Sequence, residues 1–395
     1  MSRRWELDAL RGLMLVLMTL THLPTRLSYP LGHTFGFVSA AEGFVLLSGF
    51  MAGLVYTRRA RCSGLQAMQE GLRHRALTVY LCQLGLLLLL FFGFAELAQR
   101  RGQPELTHLT GYFLEQPRAA LAAALALLYQ PALLDVLPMY VLFLLASAWL
   151  LAHGLRYGWH AILAGSVLLW LLSQFDLTAA LHGLAVRHAG WPVRLEDSGS
   201  FVLPAWQFLW VLGLWMGSTR ADGPLLPAGF PRWMLRTALT IAGLCLVWRH
   251  LVGQQAFGAD ATLNLLFDKW RLGPLRLINL FALLVVVMHY GPLWASSLPR
   301  PRYLESLGQA SLSVFNAHLV FVLAVLALFG GNPAQRPALL DAALLAVVFC
   351  LLWVVARVMP VLGRWRPARP QAAAGPAAHR RDQCRCAPMT VFQRL

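Results

Sequence analysis

An all-α, polytopic transmembrane bundle of about ten helices is the fold this sequence predicts, on three observations. First, 58% of the 395 residues are hydrophobic and 13% are charged, against roughly 25% charged in an average soluble domain. Second, apolar stretches of about 20 residues recur along the chain, the length that crosses ~30 Å of hydrocarbon. Third, these runs are punctuated by glycine and too long for strands. Lipid offers the backbone no hydrogen-bond partner, so helices are expected rather than a barrel.

The spans are expected at 7–23, 37–56, 74–98, 135–153, 159–177, 201–218, 234–251, 273–291, 310–330 and 338–359. The first follows Arg3 and Arg4 and carries Asp8 and Arg11 near its start. No small-residue cleavage site follows His22, so it is expected to be retained. The second opens at Ala40-Ala41-Glu42, and the third follows an arginine-rich loop. Residues 119–134 are apolar but short and end in Gln130-Pro131; they are expected to be re-entrant or interfacial, with an eleventh span as the rival. Asp135, with Pro138 and Tyr140, opens the fourth span, and Arg156 precedes the fifth. The sixth opens with Pro204, Trp206 and Gln207, and the seventh ends at Arg249 and His250. A polar stretch from Asp268 to Arg276 leads into the eighth, Asn316 and His318 lie within the ninth, and the tenth closes the apolar region. These spans form one membrane domain, 1–362. Residues 363–395 are rich in Arg, Ala and Pro without an apolar period, and read as a disordered basic cytoplasmic tail.

The net charge is +16, yet nucleic acid is not the expected partner. The basic residues, all arginine except Lys269, are scattered between apolar runs, as topology signals are. With the N-terminus in the cytoplasm, inside segments hold thirteen arginines besides the tail, and outside loops hold nine basic residues. Ten spans then place both termini inside a bacterial inner membrane. Cys384 and Cys386 are two thiols without further ligands, so no metal is expected.

Ionisable groups at bilayer depth cost kilocalories unless paired or wet, and so mark function. Asp8 and Arg11 are spaced i,i+3 and can pair on one face. Arg11 and His22 are about 16 Å apart along the helix rise. One helix thus presents a cation near the cytoplasm and an imidazole near the outer face. Glu42 opens the second span near the same outer face, where a carboxylate beside His22 would hold its tautomer and raise its basicity. The bland alternative is a salt bridge that ties two helices. Ser48 and Gly49 follow; Gly49-x-x-x-Gly53 reads as close helix packing. Arg58, Arg59 and Arg61, then Arg73 and Arg75, bracket one short inside loop. Guanidinium forks suit phosphate, of lipid headgroups or of a nucleotide such as coenzyme A. An outer vestibule with Asp135, Trp206, Gln207, Asp268, Lys269 and Arg276 would suit a sugar; Trp206 and Trp270 would also suit an interface belt.

The stretches LDALRG (7–12) with His22, AAEGFVLLSGF (40–50), LDVLPMY (134–140), LPAWQFLW (203–210), DKWRLGPLR (268–276) and LGQASLSVFNAH (307–318) together resemble the OpgC family. These are membrane proteins that add succinyl groups to osmoregulated periplasmic glucans. The likeness runs over residues 5–360 or so and extends to the wider membrane acyltransferase family three. It implies an O-acyltransferase with His22 as the catalytic histidine, Glu42 as the accompanying acid and Arg73 and Arg75 as donor-binding arginines. It implies acyl-CoA, succinyl-CoA in particular, as co-substrate with no bound cofactor. A periplasmic glucan or related polysaccharide is the implied acceptor, and envelope glucan synthesis proteins are implied partners. Direct attack and a transient acyl-imidazole both remain open. Two rival readings are a polysaccharide-precursor transporter or flippase, and a non-catalytic helper of envelope glucan assembly.

Overall fold

The computed structural model describes residues 4–364, apart from 33, 192 and 222–228. The tail expected at 363–395, with Cys384 and Cys386, lies almost wholly outside the described residues. The described residues are helical and carry one isolated β-bridge, Phe35 to Val38. The long helices are α1 (Trp5–His22), α2 (Ala40–Leu89), α3 (Val136–Tyr157), α4 (His160–Ser173), α5 (Leu177–Ala189) and α6 (Leu203–Thr219). They continue as α7 (Arg232–Val252), α8 (Pro274–Ser297), the short α9 (Arg302–Gln309), α10 (Ser311–Phe329) and α11 (Ala338–Arg364).

Helix α2 is a hairpin of two arms. Gly64 has φ 89° and ψ 165°, a conformation glycine takes at little steric cost. The Tyr56 hydroxyl donates to the Gly71 carbonyl at 3.2 Å across 15 residues; in a straight helix those positions would stand about 22 Å apart. The expected arginine loop is therefore not a loop: both arms stay helical up to Gly64.

Seven helices among the described residues are long and apolar enough to cross a membrane, or eight if α4 and α5, bent by 79°, form one broken span. The sequence count of about ten is larger for two physical reasons. It separates the arms of α2, which run on with the following turns as one stretch, Ala40–Arg101. It also includes α1, whose 18 residues carry three charges, Glu6, Asp8 and Arg11. The single span expected at 159–177 is bent where Asp176 takes a left-handed φ of 58°. Residues 119–134 hold most of the nine-residue helix Pro117–Leu125 and the turns after it. At 1.5 Å per residue it covers about 14 Å, too little to cross.

Small residues set the closest contacts. A Cβ on Gly49 would meet the Trp210 carbonyl, and one on Gly53 would meet that of Leu214. Reciprocally, Gly213 and Gly217 abut the Leu46 and Phe50 carbonyls. The expected packing role of Gly49 thus has a second G-x-x-x-G on α6 as its counterpart. Gly12 of α1 and Gly308 of α9 interlock in the same way, against the Leu304 and Asp8 carbonyls. Gly217→Val is expected to destabilise the bundle by about 1–3 kcal/mol through overpacking. Gly85→Val, where an added Cβ meets nothing within 4 Å, should be near neutral. Melting of both variants in one detergent checks the contrast.

Candidate active site

A narrow cavity of about 70 Å³ lies between α1, both arms of α2, α3, α6 and α10. Its polar lining is Arg11, Ser48, Tyr56, Arg75, Tyr140 and Ser311. It follows the first arm of α2 from Phe44 to Tyr56, about 18 Å of helix rise. Its walls are fixed by hydrogen bonds between helices. Tyr140 donates to the Phe44 carbonyl at 3.2 Å, and the buried Trp210 indole donates to Ser147 Oγ at 2.8 Å. Arg11, 5% exposed, donates to Ser311 Oγ at the start of α10.

The expected arginine group divides. Arg75 lines the cavity, and Arg59 packs over Gly71 and Tyr56 beside it. Arg58 is held by the Ala221 carbonyl, with Nε donating at 2.7 Å. Arg61 and Arg73 are exposed on the hairpin and do not line the cavity.

Phe44 and Phe315 stack at 6.0 Å where the cavity ends. Phe315 in turn meets His318 edge-on at 4.9 Å. Beyond them stands a histidine pair. His22 Nδ1 and His318 Nε2 are 3.2 Å apart, and the rings meet edge to edge and nearly coplanar, with centroids 5.5 Å apart and an 18° interplanar angle. His318 is fully buried and His22 half-buried. Asn316, two residues earlier, donates Nδ2 to the Leu312 carbonyl at 2.7 Å and so serves its own helix.

Glu42 is not the partner of His22 that the sequence led us to expect. Its Oε1 accepts from Arg276 Nε at 2.5 Å, with both side chains buried. Its Oε2 accepts from the Ser39 amide at 3.0 Å and from the Ser39 hydroxyl. Ser39 and Glu42 form a reciprocal capping box at the start of α2, which satisfies backbone donors that the helix itself cannot. Both carboxylate oxygens are thereby engaged, and the imidazole that hydrogen-bonds His22 is that of His318.

The group expected to face a sugar divides in the same way. The Asp135 carboxylate accepts from the Ser200 amide at 3.0 Å. Trp206, fully buried, donates to the Trp270 carbonyl at 3.0 Å. Gln207 exchanges hydrogen bonds with Ser166, and Asp268 accepts from the Arg271 amide at 2.7 Å. Arg276 is committed to Glu42 and to the Phe267 carbonyl. Polar atoms at these depths need partners, and these residues tether helix ends and connections. Lys269 differs. Its ammonium makes no side-chain hydrogen bond among the described residues and lies 4.7 Å from the Trp270 ring and 5.9 Å from that of Phe201. Burial holds it below the usual lysine range, opposed by the Glu42 carboxylate. Its charge also reaches His22.

One cluster had no counterpart in the sequence reading. Buried Arg336 pairs with Asp341 at 3.3 Å and donates to the Pro24 carbonyl. Asp341 accepts from the Arg26 amide at 3.0 Å. This knot ties the chain just after His22 to the start of α11. The signal for it was Arg336-x4-Asp341 beside a span end, spaced to meet near one helix start.

Among the described residues no group of three His, Cys, Asp or Glu side chains is placed to hold a metal ion. No curated protein and no solved structure matches the chain. A family model described as "OpgC protein" matches residues 3–363, which takes in every helix described above but for the last residue of α11. The chain belongs to the OpgC family, and with it to the membrane proteins involved in glucan modification.

Proposed function

We propose that the protein is a membrane-bound O-acyltransferase. It moves an acyl group, succinyl in our reading, from cytoplasmic acyl-CoA to a hydroxyl of a periplasmic glucan or related polysaccharide. The observation that carries this is the cavity lined by Arg75 and Arg11, which ends at the aromatic pair adjoining His22 and His318. A charged thioester does not cross lipid freely, so the reaction needs a polar path from a phosphate-binding end to a base near the acceptor. In this reading the chain is a multi-pass inner-membrane protein with both termini in the cytoplasm. Arg75, with Arg59 nearby, takes the coenzyme A phosphates, and the pantetheine arm follows the first arm of α2. Lys269 and the exposed Trp270 face the sugar.

The chemistry assigned to these residues is direct transfer. His22 Nε2 takes the proton of the acceptor hydroxyl as its oxygen bonds the thioester carbonyl carbon. The carbon–sulfur bond then breaks, and the thiolate leaving group recovers the proton from the imidazolium. Ester and free coenzyme A result.

The donor end is tested by two neighbouring arginines. Arg75→Ala is expected to raise KM for acyl-CoA about 10-fold or more, the loss of one charge-assisted phosphate contact. Arg73→Ala, exposed and outside the cavity, should stay within about twofold of the parent, since it gives up no such contact. Initial rates against acyl-CoA concentration measure both. Equal effects, or an effect confined to the glucan, would assign the cavity to another substrate.

A further inference from the structure

We propose that His318 is the positioning residue of the reaction: it fixes the tautomer of His22 that leaves Nε2 free to accept a proton. The inference rests on the acyl-transfer reading above, and it gives a buried histidine the orienting place that an acidic side chain fills in many general-base pairs.

His22 Nδ1 meets His318 Nε2 at 3.2 Å, so one of these two nitrogens carries the shared proton. Two arrangements satisfy that contact when both rings are neutral. In the first, His22 Nδ1–H donates to a bare His318 Nε2. His22 Nε2 then carries a lone pair and can act as a base, and His318 has its proton on Nδ1. In the second, His318 Nε2–H donates to His22 Nδ1. His22 Nε2 is then protonated and cannot accept a proton, and His318 Nδ1 is left with a bare lone pair.

The surroundings of His318 favour the first arrangement. The ring is fully buried, and its Nδ1 has no aligned hydrogen-bond partner. The backbone carbonyl of Phe315, one turn earlier, is the acceptor that approaches the ring. A proton on Nδ1 faces that carbonyl dipole favourably, whereas a lone pair there would face another lone pair. Burial strengthens the preference, because a low-dielectric site magnifies such differences.

The contact also serves the proton-transfer step. When His22 Nε2 takes the hydroxyl proton, its Nδ1–H becomes the donor of an imidazolium. A hydrogen bond from an ionised donor is roughly twice as strong as a neutral one. His318 stays neutral and accepts; no proton need leave it. Its ring is held in place by Phe315, edge-on at 4.9 Å, and by the hydrogen bond with His22. Neither Glu42 nor Asp341 is free to orient His22, since each is engaged by an arginine.

The test uses the full-length protein purified in detergent, with labelled succinyl-CoA as donor and a glucan as acceptor. His318→Phe keeps an aromatic ring of similar size but removes the acceptor nitrogen. His318→Gln returns an amide oxygen near the place of Nε2. For His318→Phe we expect kcat to fall about 100-fold, the scale of a general-base contribution, with KM for acyl-CoA unchanged within about twofold. His318→Gln should recover at least about 10-fold of that loss, since its oxygen again accepts from His22. The double variant His22→Ala/His318→Phe should be no slower than His22→Ala alone, because residues that act as a unit are not additive. Size-exclusion profiles and melting of each variant establish that folded protein is compared.

Full rate in folded His318→Phe would overturn the proposal, as would a Gln variant no faster than the Phe variant. So would losses that multiply in the double variant. A structural role alone would lower melting in both single variants without the kcat-specific rescue, and that outcome also overturns it. If the parent protein transfers no acyl group, the acyl-transfer reading fails first. If the parent is active and His22→Ala is dead while His318→Phe is normal, only the present inference fails.

Discussion

With His22 replaced by alanine, acyl transfer is expected to fall about 1,000-fold, inside the range that a general base contributes, while membrane insertion and abundance stay normal. His22 ends α1, and its neighbours are supplied by other elements. Its Nδ1 is taken by His318, and the following turn is locked by the Arg336–Asp341 knot. Removing the imidazole leaves this frame in place and takes away the atom that accepts the proton. Direct attack and an acyl-imidazole both use that nitrogen, so both predict the loss. A non-catalytic helper predicts none. Assaying variant and parent at equal abundance in the same membranes compares these readings.

Glu42 and Arg276 should report on stability before they report on rate. The pair is 2.5 Å apart with side chains 0% and 4% exposed. Taking one partner away strands the other as a buried charge, which costs about 3–5 kcal/mol. Glu42→Ala and Arg276→Ala are each expected to melt far below the parent, and their residual folded fraction should keep much of the specific activity. The double variant Glu42→Leu/Arg276→Met should recover a large part of the loss, because apolar replacement of a whole buried pair is often neutral. Melting curves of the three variants in one detergent give the coupling. Independent, additive losses would mean that the two side chains do not form the unit described here. A Glu42→Gln variant with parental melting and a strongly reduced rate would return Glu42 to His22.

The membrane segments were legible because hydrocarbon thickness fixes a length that apolar runs either reach or do not. All ten expected spans contain a helix of the structure, including the bent one. Arg11, Arg75 and His22 were singled out for a related reason: ionisable groups at depth stand out against leucine and valine. What lay beyond reach was pairing across the chain. His22 and His318 are separated by 296 residues, and Glu42 and Arg276 by 234. With no long-range contact in view, Glu42 was assigned to the imidazole expected at the same outer face across a short loop.

Part of that error was avoidable. Ser39-x-x-Glu42 before an apolar run is a capping-box signature, and it states that one carboxylate oxygen turns back to its own helix start. The group expected to face a sugar was read by the same route. Asp135, Trp206 and Gln207 sit where helices begin and Asp268 in the connection before α8, and polar residues there more often satisfy backbone groups than meet a ligand. The second G-x-x-x-G, Gly213 to Gly217, was equally readable beside Gly49 and Gly53.

In our account the acyl group passes from a donor on one side of the membrane to an acceptor on the other, and reconstitution tests this most directly. Purified protein in sealed vesicles is given acyl-labelled succinyl-CoA in one compartment and a glucan in the opposite one, and the label is followed. Our account predicts labelled ester on the glucan, free coenzyme A left in the donor compartment in equal amount, and neither product with His22→Ala. Intact succinyl-CoA together with unlabelled glucan that has changed compartment would contradict it and identify a transporter.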